Sequence, residues 1–366
     1  MTQSVAVAHD WFVNRGGAER VALSIADAFP GSPMFTAGVA LESTFPEVAR
    51  LDLRLSDLSS KMDEDFRKLL PRYPRAFSGL NADGFDAVVA SSTAFAHHIS
   101  TDGCLIVYCH APPRFLWDRS YLKTSVKPSL RPFVRLMLAS LRRKDRAAAT
   151  RVHRYIANSR TTAAKIARTY GLRADVVPPP VHTGRFEIGP RTDEAWLMVG
   201  RLLGHRGFEL AIEAFTQMGK PLIVVGDGPA RPQLQAAAGE HVSFLGSVDD
   251  DELARLYGRA RGVIVPGVED FGLVPLEANA SGRPVVARAA GGALETIVDG
   301  VTGLLFREPK PSALIETVRR AEAMNFDPRA LRAHAERFDE AVFQARIREI
   351  VDASRTCITC QGRHQA

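Results

Sequence analysis

The hydrophobic pattern of this chain alternates between short apolar runs and longer segments with helical periodicity. Near the N-terminus "SVAVAH" precedes "GGAERVALSIADAF", and in the second half "PLIVVGDG" precedes "ARPQLQAAAG". Short apolar runs that are bounded by turn residues and separated by helices are typical of buried parallel strands. The pattern therefore predicts the α/β class, with doubly wound, Rossmann-like parallel sheets.

The alternation is interrupted once, by the proline-rich stretch "VVPPPVHTGRF". Proline breaks both helices and sheets, and 366 residues exceed what one hydrophobic core normally holds. The sequence therefore predicts an N-terminal domain over 1–178 and a second domain over 179–340, facing each other across a cleft. Residues 341–366 are expected to form a helix that packs back across the hinge, followed by a polar tail.

Ligands of doubly wound sheets bind at the carboxyl ends of the strands, so the loops there are the first place to look for chemistry. After the first strand comes "HDWFVNRGGAERV", in which Gly16 and Gly17 precede a helix. Two glycines let the backbone approach a ligand and leave N–H groups to bind it. A plain turn is the alternative, and the GxGxxG dinucleotide pattern is not met.

In the second domain, "VGRLLGHRGFE" places Arg201 and Arg206 after a predicted strand. Guanidinium groups bind phosphate in a bidentate manner, so this loop is a candidate diphosphate site. Two solvated loop arginines are the alternative.

The stretch "VEDFGLVPLEANASGRP" carries Glu269 and Glu277 around a Phe271–Gly272–Leu273 turn that opens a helix. The backbone N–H groups of such a turn favour an anion such as a diphosphate. Carboxylates would repel a diphosphate, but they accept hydrogen bonds from vicinal hydroxyls of a sugar or a ribose. The spacing therefore fits a nucleoside diphosphate sugar. A helix-start glutamate plus a surface glutamate is the alternative.

These motifs together resemble the retaining glycosyltransferases of family 4, which have the GT-B fold. The family's E-x7-E pair matches Glu269 and Glu277, and the similarity continues through "AAGGALETIVDGVTGLLF", "GGAERV" and "IANS". It covers nearly the whole chain except the last dozen residues. "YCHAPPRFLWD" and "LRRKDRAAATRVHRYIANSR" are similar to bacterial mannosyltransferases of surface polysaccharide and O-antigen assembly.

The resemblance implies a role for each matching residue. As catalytic residues it implies Glu269 on the donor hexose, Arg201 and Arg206 on the leaving diphosphate, and His110 facing the donor sugar from the first domain. As donor-binding residues it implies Glu277 on the ribose, the N–H groups of Phe271, Gly272 and Leu273 on the sugar and diphosphate, and Gly16 and Gly17 in a loop closing over the diphosphate. Arg206 departs from the usual lysine of the family, and His182 from a frequent aspartate.

The predicted activity is transfer of a hexose, with retention, from a nucleotide sugar to a lipid-linked or polysaccharide acceptor. Mannose from GDP-mannose is the expected donor, and a polyprenyl-diphosphate-linked sugar is a suitable acceptor. No cofactor and no metal are expected, since Asp249–Asp251 have the pattern of a helix start and not of a DxD motif. The alternatives are a UDP-sugar-dependent transferase, a GT-B epimerase or phosphorylase, and a non-catalytic sugar-nucleotide-binding protein.

Positive charge is concentrated between Lys123 and Arg154. This segment holds ten lysines and arginines against Asp145 alone, a net +9 compared with +6 for the whole chain. Apolar residues at helical spacing lie between the charges, and basic amphipathic helices bind anionic membrane surfaces. A helix whose apolar side is core is the alternative. Nucleic acid is not expected as a partner, because neither stacking aromatics nor a known module accompanies the charges.

The remaining features indicate a cytoplasmic protein, peripheral on the inner face of the plasma membrane. There is no apolar run of transmembrane length, and the N-terminus has the pattern of a strand and not of a signal peptide. Four cysteines in a chain of this size do not make a disulfide framework. Cys357 and Cys360 form one CxxC, and a zinc site would need a second pair at suitable spacing.

Overall fold

The structure is a computed structural model, and it describes residues 4–61, 69–118, 131–190 and 192–362. The chain divides into two compact units. The first comprises Met1–Pro178 together with Phe343–Ala366, and the second comprises Pro179–Val342. The change from one unit to the other falls within the proline run.

The described part of the first unit contains a seven-stranded sheet in the order β3-β2-β1-β4-β5-β6-β7, and all of its pairings are parallel. Its strands are β1 (Val5–His9), β2 (Met34–Thr36), β3 (Leu53–Leu55), β4 (Ala87–Ser92), β5 (Cys104–Cys109), β6 (Arg154–Ala157) and β7 (Ala174–Val176). The strand order reverses between β1 and β4. In open α/β sheets that reversal opens a crevice at the carboxyl ends, where ligands bind.

Helices cover both faces of this sheet. They are α1 (Gly17–Ala28), α2 (Tyr73–Gly79), α3 (Arg114–Trp117), α4 (Arg131–Ala149), α5 (Arg160–Tyr170) and the last helix of the chain, α13 (Glu340–Gly362). Successive strand residues alternate between the two cores, so that Val88 packs on one face and Val89 on the other. The last helix inserts Phe343 and Ile347 into the second of these cores.

The described part of the second unit contains a six-stranded parallel sheet in the order β10-β9-β8-β11-β12-β13. Its strands are β8 (Trp196–Val199), β9 (Leu222–Val225), β10 (Val242–Gly246), β11 (Gly262–Val265), β12 (Val285–Arg288) and β13 (Gly303–Phe306). Here the strand order reverses between β8 and β11.

Seven helices flank the second sheet in the described residues. They are α6 (Phe208–Met218), α7 (Arg231–Ala237), α8 (Asp250–Arg259), α9 (Val274–Ala280), α10 (Ala293–Thr296), α11 (Pro311–Ala323) and α12 (Pro328–Glu336). Asp249 caps α8 by accepting a hydrogen bond from the Glu252 N–H at 2.8 Å, which confirms the predicted helix start. Two doubly wound, Rossmann-like parallel sheets were predicted, and this fold class is confirmed.

Among the described residues, no helix combines the length and the apolar character that crossing a membrane would require.

Candidate active site

Two of the predicted catalytic residues meet at the strand-order reversal of the second sheet. Arg206 ends a short 3-10 turn (Gly204–Arg206) after β8, and Glu269 lies on the loop after β11. The Arg206 guanidinium donates from Nη1 to Glu269 Oε1. Both side chains are about a quarter to a third exposed, 30% and 24% respectively, so a ligand can reach them. Nothing in the local sequence pattern indicated that the two residues would contact each other.

Close backbone contact brings these two loops together. A Cβ at Gly267 would lie 2.4 Å from the Arg206 carbonyl oxygen, and a Cβ at Gly207 would lie 3.2 Å from the Pro266 carbonyl group. Gly207 also has a φ of +72°, which glycine adopts without strain. The glycines at these positions therefore set the distance between Arg206 and Glu269.

A second glycine pair, Gly291 and Gly292, packs closely against the loop that carries Glu269. A Cβ at Gly291 would lie 2.3 Å from the Glu269 carbonyl oxygen, and one at Gly292 would lie 1.9 Å from that of Phe271. The Gly292 N–H donates to the Glu269 carbonyl at 2.9 Å. The "AAGG" motif therefore serves close packing against the loop that carries Glu269.

The turn between the two glutamates presents backbone donors. Phe271 is buried, whereas Gly272 and Leu273 are partly exposed, and helix α9 begins at Val274 with Leu273 as its N-cap. The helix thus begins directly after the turn that was predicted to open it. Within the described part of the chain, no residue accepts a hydrogen bond from the N–H of Phe271, Gly272 or Leu273. These donors are available to an anion or to a sugar hydroxyl.

Glu277 lies in the first turn of α9 and is held by a tyrosine. The Tyr257 hydroxyl donates to Glu277 Oε2 at 2.7 Å, and Tyr257 is fully buried. Burial, and then the neighbouring Glu277 charge, raises the pKa of Tyr257 well above its ordinary value. The tyrosine thus stays protonated and donates to the carboxylate. Tyr257 was not predicted as a site residue, because its position within a helix gives no signal of a polar contact.

Arg201 lies two residues after the end of β8 and is exposed. It forms no ion pair with any residue that the structure describes. The loop around it is tightly built, because a Cβ at Gly226 would lie 2.1 Å from the Gly200 carbonyl oxygen. Arg201 therefore lies at the carboxyl end of β8, as predicted, and its side chain is exposed to solvent.

In the first unit, His110 belongs to a chain of polar groups at the reversal between β1 and β4. The Ser91 hydroxyl lies 2.8 Å from His110 Nε2 and 3.2 Å from His9 Nδ1. Loss of contact with water, and then the neighbouring His9, lowers the pKa of His110 to about 3. Burial likewise lowers the pKa of His9. Both imidazoles are therefore neutral at physiological pH.

The backbone of His110 is anchored by the predicted "IANS" motif. The His110 carbonyl accepts hydrogen bonds from Asn158 Nδ2 at 3.0 Å and from the Thr162 hydroxyl at 3.3 Å. Ser159 caps helix α5 by accepting from the Thr162 N–H. This motif therefore positions the strand-end histidine of its own unit.

Gly16, the N-cap of α1, makes room for a buried carboxylate. A Cβ at Gly16 would lie 2.4 Å from Glu19 Oε2, and Glu19 Oε1 accepts from Asn14 Nδ2 at 2.7 Å. Burial raises the pKa of Glu19 to about 7. The two glycines were predicted to admit a ligand. At Gly16, the packing of the Glu19 side chain is a structural reason for the glycine. Gly17 is exposed and opens the helix.

Asp10, which was not among the predicted site residues, holds the turn after β4. Its carboxylate accepts hydrogen bonds from the N–H groups of Thr93, Ala94, Phe95 and Ala96 at 2.5–2.9 Å, and from the Thr93 hydroxyl. A fully buried carboxylate needs such partners, and the turn needs an acceptor. The only signal in the sequence is an acid directly after an apolar strand.

Comparison with known families divides the chain near the same proline run. Residues 15–185 match the family described as Glycosyltransferase Family 4, and residues 184–341 match Glycosyl transferases group 1. Between them the two models match residues 15–341, and both describe glycosyltransferases. The predicted resemblance to family 4 glycosyltransferases is confirmed at that level.

Relatives within this family share part of the chain. An uncharacterised glycosyltransferase of Methanocaldococcus jannaschii is 36% identical over 147 residues, which are 37% of this chain and 38% of the relative. A GDP-mannose-dependent phosphatidylinositol monomannoside mannosyltransferase of Mycolicibacterium smegmatis is 32% identical over 205 residues, 45% of this chain and 54% of the relative. The chain thus spans between about a third and a half of the length of such curated relatives.

The fold is shared with solved glycosyltransferase-like structures over nearly the full length. HepE of Anabaena, solved with UDP and glucose, superposes with a TM-score of 0.70 at 18% identity, covering 96% of this chain and 99% of that protein. The GT-B fold class expected from the sequence is confirmed by this likeness.

Proposed function

We propose that this protein is a retaining hexosyltransferase that moves mannose from GDP-mannose to a lipid-linked or polysaccharide acceptor. The observation that carries the proposal is the pairing of Arg206 with Glu269 beside the open N–H groups of Phe271–Leu273. Cations and N–H donors suit a diphosphate, and carboxylates suit sugar hydroxyls. All of these groups lie where doubly wound sheets bind ligands.

Each group then has one task in the transfer. Arg201, Arg206 and the turn N–H groups stabilise negative charge on the diphosphate as its bond to the sugar breaks. Glu269 accepts hydrogen bonds from the hexose, and Glu277, held by Tyr257, accepts them from the ribose diol. The acceptor oxygen forms its bond to the anomeric carbon on the face that the diphosphate leaves, and its proton passes to the departing phosphate oxygen.

In the first unit, His110 acts as a neutral hydrogen-bonding group toward the donor sugar. Its pKa of about 3 excludes it as a cationic acid near neutral pH. Its Nε2 lies within hydrogen-bonding distance of the Ser91 hydroxyl, which also lies within that distance of His9 Nδ1. The reaction as proposed needs no metal and no cofactor.

A UDP-sugar donor is the second candidate, because the similar structure from Anabaena was solved with UDP. Thermal stabilisation by GDP, UDP, GDP-mannose and UDP-glucose separates the two, since a bound ligand raises stability by mass action. We expect GDP and GDP-mannose to give the larger shifts. Stabilisation by UDP-glucose alone would make the donor part wrong, and a β-linked product from the α-linked donor would contradict retention.

We further propose that the protein binds the inner face of the plasma membrane through helix α4 and the segment before it. In α4, Leu138 and Leu141 are buried in the core, but Phe133 and Leu136 are 72% and 74% exposed. Arg135, Arg143 and Lys144 are also exposed. Basic side chains beside exposed apolar ones suit an anionic lipid surface, on which a polyprenyl-linked acceptor would reside. Residues 123–130 of the predicted segment lie outside the described residues.

A further inference from the structure

A second group of titratable side chains lies on the opposite face of the first sheet from His110. Neighbouring residues of a strand point to opposite faces. Ser91 therefore faces His110, while the Ser92 hydroxyl lies 3.4 Å from His97 Nδ1 on the other side. There, His97 and His98 end the short 3-10 helix Ala96–His98, and Asp145 projects from α4.

Three potential ligand atoms converge in this group. Asp145 Oδ1 lies 3.1 Å from His97 Nε2 and 3.9 Å from His98 Nε2, and each of the three residues offers a ligand atom within 4.8 Å of one from each of the other two. In a tetrahedral zinc site with bonds of about 2.0–2.1 Å, ligand atoms are about 3.3 Å apart. The two distances from Asp145 Oδ1 to the imidazole nitrogens lie on either side of this value.

The same three atoms have no hydrogen bond to any described residue. The residues are 3%, 4% and 0% exposed, so water does not compensate for the missing partners. Although Nε2 of His97 is within reach of Asp145 Oδ1, the ring N–H does not point at it well enough to form a hydrogen bond. Buried polar atoms without partners are costly, and a cation would satisfy all three at once.

The side chains around Asp145 orient its carboxylate in the way that metal ligands in proteins are oriented. Asp145 Oδ2 accepts hydrogen bonds from Trp117 Nε1 at 2.8 Å and from the Tyr170 hydroxyl at 2.9 Å. These two donors fix the carboxylate so that its other oxygen faces the histidines. Hydrogen bonds from a second layer of residues are typical of protein metal sites.

We propose that His97, His98 and Asp145 bind a divalent transition-metal ion, with zinc as the best fit. Two imidazoles and one carboxylate suit zinc, whereas calcium and magnesium prefer oxygen ligands alone. The ion would join the turn after β4 to α4. Asp10 holds the start of that same turn. The role is structural and is independent of the proposed sugar transfer.

The test begins with the full-length protein, stripped by a chelator and then reloaded with zinc. We expect about one tightly bound zinc ion per chain, measured by elemental analysis after gel filtration. His98→Gln and Asp145→Asn should each weaken zinc binding at least about 100-fold in competition with a chromophoric chelator. His334→Gln, which changes a buried histidine of the second unit, is the matched control and should bind zinc as the wild type does.

The C-terminal CxxC is the other possible source of zinc binding. A Cys357→Ser/Cys360→Ser variant should therefore keep its zinc. Loss of zinc in that variant with retention in His98→Gln would overturn the proposal, as would a wild-type chain that binds no zinc. If the His98 and Asp145 variants do not fold, the absorption spectrum of the wild type loaded with Co²⁺ tests the proposal instead. Visible d–d bands of a site with nitrogen and oxygen ligands would support it. Thiolate charge-transfer bands, or no bands, would contradict it.

Discussion

Arg206 and Glu269 form an ion pair between the loops that follow β8 and β11. The proposed donor brings the negative charge of its diphosphate to the arginine and the hydroxyls of its hexose to the glutamate, so donor binding must loosen this pair. Arg206→Ala should lower kcat/KM about 100- to 1,000-fold, because charge on the leaving group then lacks its cation. Arg201→Ala should cause a loss of similar order. Steady-state kinetics with the donor identified by thermal shift provides the measurement.

The partner of Arg206 allows a sharper version of this test. In Arg206→Ala the Glu269 carboxylate repels the incoming diphosphate, so the dissociation constant of the nucleoside diphosphate should rise at least about 10-fold. Adding Glu269→Gln should restore part of the affinity without restoring turnover. Equal affinities of the single and double variants, measured by calorimetry, would mean that the two charges do not share a ligand.

Tyr257→Phe should weaken nucleotide binding with little change in kcat. The substitution keeps the ring that packs against Phe186 but removes the hydrogen bond to Glu277. A hydrogen bond to a charged group contributes about 1.5–3 kcal/mol, so we expect the dissociation constant for the diphosphate to rise about 10- to 100-fold. Glu277→Ala should have a larger effect of the same kind. A fall in kcat at unchanged nucleotide affinity would assign Tyr257 a different role.

Gly292→Ala should weaken nucleotide binding although Gly292 is not one of the proposed ligand-binding residues. Its Cβ would lie 1.9 Å from the Phe271 carbonyl oxygen, so the loop between Glu269 and Gly272 must move. We expect nucleotide affinity to fall at least about 10-fold, together with a lower Tm. Gly184→Ala is the matched control, since no atom lies within 4 Å of a Cβ there. Equal effects of the two variants would contradict the proposed packing role.

The parts of this site that follow strands could be predicted from the sequence, and the parts that join distant elements could not. Buried parallel strands are apolar on both faces, so their ends are visible in the sequence, and Arg206 and Glu269 were found there. Tyr257 lies twenty residues from Glu277 on another helix, where nothing in the local pattern marks a polar contact. Asp10 accepts hydrogen bonds from a turn that lies more than eighty residues away in the sequence, because β1 pairs with β4.

Helix α4 shows that the sequence is equally unable to predict which of its apolar residues lie at the surface. Its apolar positions fit helical spacing, but the sequence does not say which side faces the sheet. Leu138 and Leu141 belong to the core and Phe133 and Leu136 do not, so both interpretations of this pattern apply to part of the helix. Arg142 and Arg146 contact Leu116 and Trp117, and are therefore engaged with the protein itself.

Glu19 should make stability depend on pH. Its pKa is raised from 4.5 to about 7 in the folded state, so the folded state binds the proton more tightly than the unfolded state. The free energy of unfolding therefore falls as pH rises from about 4.5 to 7, by up to about 3 kcal/mol, and is constant above that window. Glu19→Gln cannot titrate. Its Tm relative to wild type should increase between pH 5 and 7.5, and a constant difference would show that Glu19 titrates normally.

Phe133 and Leu136 should contribute to membrane binding without contributing to folding. Both are exposed, so Phe133→Ser/Leu136→Ser should leave Tm nearly unchanged and strongly reduce co-sedimentation with anionic vesicles. Arg143→Gln/Lys144→Gln should reduce it about 30-fold, at about 1 kcal/mol for each charge, and high salt should do the same to the wild type. Leu41→Ser, at another exposed position of the first unit, is the control and should bind normally. If the wild type fails to bind anionic vesicles even at low salt, α4 is a solvated basic face and the membrane proposal is wrong.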